Sequence, residues 1–63
     1  STRLLDESSL PQGFAPGTRV RHAVFGEGTV LELDPAQKAQ LVQFDSMSTP
    51  RLLSLRAKLE QIG

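Results

Sequence analysis

Apolar residues along this chain come in short alternating runs, each closed by glycine, proline or aspartate. Over Thr18-Arg19-Val20-Arg21-His22, Val20 and His22 fall on one face and Arg19 and Arg21 on the other, which predicts a strand. Thr29-Val30-Leu31-Glu32-Leu33-Asp34 predicts a second strand, although Val30 and Leu31 are adjacent and break strict alternation. A strand bent across a small barrel can bury both, although the pattern does not force that. Ala39-Gln40-Leu41-Val42-Gln43-Phe44-Asp45 reads as a third strand with Val42 and Phe44 toward the core. Pro50-Arg51-Leu52-Leu53-Ser54-Leu55 reads as a short fourth, its proline tolerable at a strand start. Leu55, Leu59 and Ile62 have helical spacing, so a turn of α- or 3₁₀-helix is expected to close the chain.

The punctuation supports the same reading. Pro16-Gly17 places proline and glycine where a type II turn wants them, and Asp34-Pro35-Ala36-Gln37-Lys38 is the next turn. Phe25-Gly26-Glu27-Gly28 is read as a tight turn between the first two strands, the two glycines allowing backbone angles closed to other residues. Residues 1–13 show no sustained period. Ser8, Ser9, Pro11 and Gly13 mark them as a tail or linker, with residues 14–63 as the folded domain. Short strands without a long helix point to an all-β barrel or sandwich, and only a small barrel fits the length.

At 63 residues the chain holds one small domain. A domain this small buries only about 60% of its unfolded surface, which leaves little material for a deep substrate cleft. There is no cysteine, so disulfides and cysteine-based zinc sites are excluded. No run of about 18 apolar residues is present and the first residues show no charged region followed by an apolar stretch, so no signal peptide is read here, and a cytoplasmic setting and no membrane partner are expected. Seven basic residues balance seven acidic ones. Non-specific nucleic-acid binding draws on an excess of cations, so it is not expected as the main role, although a local patch remains open. Ser1 stands where a complete chain would carry Met, so a piece of a longer protein is expected.

Candidate chemistry is sparse. His22 is the single histidine and alternates with Val20 on a strand, which favours a structural role. Nothing resembles a nucleophile elbow or a convergent ligand set, so neither catalysis nor a metal or other cofactor is expected. Gly26 and Gly28 lack the strand–glycine–helix context of a phosphate loop. With three Phe and no Tyr or Trp, all three rings are wanted for the core, so an aromatic cage or a proline-peptide groove is excluded. Surface cations remain. Arg19 and Arg21 on the first strand, with Arg51, Arg56 and Lys58 near the end, are the candidate partner-binding residues.

Phe14-x-x-Gly17-x-Arg19-Val20-x-His22-x-x-Phe25-Gly26-x-Gly28-x-Val30 resembles the opening of the C-terminal Tudor-like domain of UvrD/PcrA-type DNA helicases. Val42-x-Phe44, Arg51-Leu52-Leu53 and Ala57-x-Leu59-Glu60 match later pieces, so the resemblance spans Phe14 to Ile62. Thr2-Arg3-Leu4-Leu5-Asp6-Glu7 with Pro11 is similar to the segment that ends the motor region of those helicases. The first block also loosely resembles the polymerase-binding domain of CarD-type transcription factors.

The resemblance implies a five-stranded SH3-like barrel, with Gly17, Val20, His22, Phe25, Gly26, Gly28 and Val30 as its structural motif. It implies an accessory, non-catalytic module that binds RNA polymerase in transcription-coupled DNA repair, the ATPase residing in motor domains outside this chain. DNA is the alternative partner. No small-molecule substrate is expected, and the isolated domain is expected to be a monomer. Family members open the fourth strand with a contacting Lys where this chain has Pro50. Arg51 beside it carries a charge onto the opposite face if register is kept.

Overall fold

A computed structural model describes residues 13–63, and the linker expected over residues 1–13 lies outside them except for Gly13. Five strands form: β1 (Arg19–His22), β2 (Gly26–Asp34), β3 (Ala39–Phe44), β4 (Arg51–Ser54) and β5 (Leu59–Gln61). They make one antiparallel sheet in the order β4-β3-β2-β1-β5. The first four strands run as a meander, and the chain then returns to pair β5 with the free side of β1.

Local chemistry sets each corner. In the turn Ala15–Thr18 the Thr18 amide donates to the Ala15 carbonyl at 3.1 Å, with Gly17 at φ 94°. That is the type II geometry the Pro-Gly pair predicts. Between β1 and β2, Nδ1 of His22 accepts the amides of Val24 (3.0 Å) and Phe25 (3.3 Å), and Gly26 takes φ 83°. Between β2 and β3, Asp34 Oδ1 accepts the Gln37 amide and the Lys38 amide donates to the Pro35 carbonyl. Lys38 there sits at φ 54°, a left-handed conformation that glycine would adopt at lower cost.

The core consists of Val20, Val30, Val42, Phe44 and Leu59, with Phe14, Phe25, Met47 and Leu53 packed against it. The adjacent Val30 and Leu31 have a concrete explanation. Val30 faces Val42 while Glu32 faces Leu41, so the register shifts by one residue at Leu31. The shift works as a β-bulge, which bends the strand and adds twist. Leu31 is left 42% exposed, and Leu33, opposite Gln40, turns to the face that holds Val42. Val30 and Leu33 therefore share the inner face despite a spacing of three. Gln40 is a fully buried polar residue whose Oε1 accepts the Phe14 amide at 3.3 Å, tying the start of the domain to the middle of the sheet.

Two expectations are corrected. The C-terminal helical turn does not form: Ser54–Ala57 is a single turn closed by the Ala57 amide on the Ser54 carbonyl, and Leu59–Gln61 is strand. The free edge of β1 explains the choice. Its N–H and C=O groups need partners, and an extended segment supplies them continuously, whereas one helical turn carries the full nucleation cost. Leu59 still reaches the core, opposite His22, because one inward side chain satisfies either period. The second correction concerns Gly26 to Gly28, which belong to β2 rather than to a turn. Gly28 faces Phe44, and a Cβ there would meet the Gln43 carbonyl oxygen at 2.7 Å and the Phe44 Cα at 2.9 Å. Glycine is needed there for close backbone approach.

Candidate functional site

The five candidate cations divide into two groups once register is known. Arg19 and Arg21 project from β1 on the face away from the core, and β2 and β5 bring carboxylates to meet them. Arg19 binds Asp45 through two parallel contacts, Nη1 to Oδ1 at 3.0 Å and Nη2 to Oδ2 at 2.6 Å. Its Nη1 also donates to Thr29 Oγ1 at 2.8 Å, and Nη2 lies 3.6 Å from Glu27. Arg21 reaches Glu60 at 3.3 Å and Glu27 at 3.8 Å. The result is a row of alternating charge, Glu60, Arg21, Glu27, Arg19 and Asp45, laid across three strands.

That row is electrostatically satisfied. The hydrogen bond from Arg19 holds the Asp45 carboxyl below its ordinary value, and the guanidinium's positive charge acts in the same sense. The Asp45 hydrogen bond correspondingly holds Arg19 above its own ordinary value. A bidentate guanidinium–carboxylate pair fixes geometry as well as charge. Here it fastens the residue after β3 to β1.

Arg51, Arg56 and Lys58 stand apart from this row. They lie in a stretch, Ser46 to Leu59, that contains three cations and no carboxylate. Among the described residues none of the three forms an ion pair. Arg56 sits in the Ser54–Ala57 turn, where its amide donates to Ser54 Oγ at 3.0 Å. Lys58, with Arg21, Ala23, Leu59 and Glu60, lines an open groove beside β5.

Arg51 is the best placed of them. It pairs with Val42, so the two side chains share a face, and its guanidinium carbon lies 4.6 Å from the centroid of the Phe25 ring. The opposite-face expectation for Arg51 relative to Pro50 therefore puts Arg51 on the core side and the neighbouring Leu52 outward, 63% exposed. Phe25 is itself held. Its ring stacks on His22 at 4.6 Å with planes 26° apart and tilts against Phe44 at 5.2 Å. His22 is in turn fixed by the two amides its Nδ1 accepts, which leaves the ring proton of a neutral imidazole on Nε2.

Among the described residues no cluster of three or more His, Asp or Glu side chains is placed to hold a metal ion, and no helix is long and apolar enough to cross a membrane. The motif residues Val20, Val30 and Gly28 are buried, while Gly17 and Gly26 supply the positive φ angles. Two site features escape the sequence. The Arg51–Phe25 contact joins residues from separate hairpins, and the Arg19–Asp45 pair spans 26 residues. No family model, curated protein or solved structure matches this chain.

Proposed function

We propose that residues 14–63 form an SH3-like, Tudor-like barrel that acts as a non-catalytic docking module of a UvrD/PcrA-type DNA helicase, holding it on RNA polymerase. The barrel reading draws on the strand order, in which the fifth strand returns to the first, and on the bulge that bends β2. The helicase and polymerase reading rests on the resemblance over Phe14 to Ile62. The observation that carries a docking role is the division of charge: the β1 arginines are occupied by carboxylates of the same domain, whereas Arg51, Arg56 and Lys58 are left for a partner. Arginine without an internal carboxylate, beside exposed apolar residues such as Leu52, fits an interface anchor.

A second reading is an accessory nucleic-acid-binding barrel of the same helicase, with those cations on phosphates. Salt separates the two. Phosphate contacts lose affinity in proportion to the charges they neutralise. The test is a titration of the labelled domain with bacterial RNA polymerase core enzyme, run beside single-stranded and duplex DNA. Saturable binding to polymerase that charge reversal at Arg51 or Arg56 weakens supports docking. Binding to DNA alone that collapses with added salt moves the assignment to nucleic acid.

A further inference from the structure

We propose that Arg51 is a pre-oriented receptor for a carboxylate, an aspartate or glutamate side chain presented by a partner polypeptide, and that Phe25 is its positioning residue. This deepens the docking reading and rests on it for the nature of the partner. The geometry supplies the reason. A guanidinium lying over a ring spends its flat face on that ring and keeps its N–H donors in the plane, at the rim of the stack. Arg51 is exposed, and none of its donors is taken by a carboxylate among the described residues.

The ring beneath Arg51 is itself held in place. Phe25 packs on the core, stacks on His22 and leans on Phe44, and His22 is anchored by two backbone amides. A long side chain held this way loses less rotamer freedom on binding than one moving freely in water. A planar fork matches a carboxylate with two parallel hydrogen bonds.

The surroundings favour a peptide carboxylate over a nucleic-acid phosphate. The turn that carries Phe25 also presents Val24, 79% exposed. An acidic residue flanked by an apolar one suits this corner.

The test uses the 63-residue chain with ¹⁵N-labelled arginine, following the Arg51 Nε–H resonance. The probes are a short peptide with one glutamate between valines, its glutamine counterpart, and a single-stranded oligonucleotide. The glutamate peptide is expected to move the Arg51 resonance saturably, and the glutamine peptide about tenfold less tightly. Phe25→Leu keeps the core apolar but removes the ring. It is expected to weaken the glutamate peptide about two- to fivefold while leaving the backbone amide spectrum folded. Arg51→Lys, which keeps the charge without the fork, is expected to bind more weakly than wild type.

Equal response to the two peptides, or none, overturns the carboxylate assignment. Unchanged affinity in Phe25→Leu overturns the positioning role. A tighter, salt-sensitive response to the oligonucleotide assigns Arg51 to phosphate instead. Because these probes do not include polymerase, a positive peptide result with a negative polymerase titration keeps the receptor and removes only the named partner.

Discussion

Arg19, half-buried, and Arg51, exposed, are both arginines on strands of one sheet, yet they meet opposite chemistry. Arg19, in β1 near the middle of the sheet, finds carboxylates delivered by its neighbours at 2.6 and 3.6 Å. Arg51, in the edge strand β4, finds an aromatic face at 4.6 Å and no carboxylate among the described residues. A central strand is flanked on both sides, so its charges are neutralised by folding. An edge strand has one neighbour, and the sequence around this edge withholds acids altogether. A neutral net charge thus conceals a division between charges paired within the fold and charges that no carboxylate among the described residues meets.

The largest predicted effect concerns the scaffold both regions share. Gly28→Val places a Cβ 2.7 Å from a backbone oxygen of β3, and overpacking of this kind costs about 1–3 kcal/mol. A domain of this size has only about 3–5 kcal/mol to lose. A steep fall in the thermal midpoint by circular dichroism is expected, and an unchanged midpoint would refute the close-approach role. Gly26→Val comes next. Space is open there but φ is 83°, so the loss is conformational, about 1–2 kcal/mol. Gly26→Ala is expected to recover little of it, because the penalty belongs to the backbone and not to side-chain bulk.

A smaller effect tests the occupied region alone. Asp45 titrates below its ordinary value because Arg19 hydrogen-bonds to its charged form. Its contribution is therefore full above the unfolded value of 3.8 and is lost as pH falls through the lower folded value. The melting temperature of wild type should exceed that of Asp45→Asn at neutral pH and converge with it as pH falls below 3.8 and through the lower folded value. A gap that persists at low pH would show that the pair is not what separates the two proteins. The smallest stability effect belongs to Arg56→Glu and Lys58→Glu, expected within about 0.5 kcal/mol of wild type because nothing in the fold depends on those charges.

The sequence made much of this legible where the determinants are local. Pro16-Gly17 announced its turn and alternation located β1 and β3, whereas the adjacency of Val30 and Leu31 is resolved by a bulge that leaves Leu31 exposed and does not bury both. It misled where one pattern serves two structures. Leu55, Leu59 and Ile62 satisfy a helical period, but the hydrogen bonds that β1 leaves open decide for a strand. Partnership was the least legible part. Whether Arg19 is free depends on the register that sets Asp45 beside it, and whether Arg51 points to Phe25 depends on its pairing with Val42. Neither relation exists in the linear order of residues.

The most direct test of the division is a crossed pair of charge reversals, Arg19→Glu and Arg51→Glu, each measured for melting temperature and for affinity to RNA polymerase core enzyme. The division predicts that Arg19→Glu lowers the melting temperature, less so at 1 M salt where exposed pairs are screened, and that Arg51→Glu keeps the melting temperature and loses affinity. A folded Arg51→Glu that binds polymerase as wild type does, beside an Arg19→Glu that remains as stable as wild type but no longer binds, would contradict it.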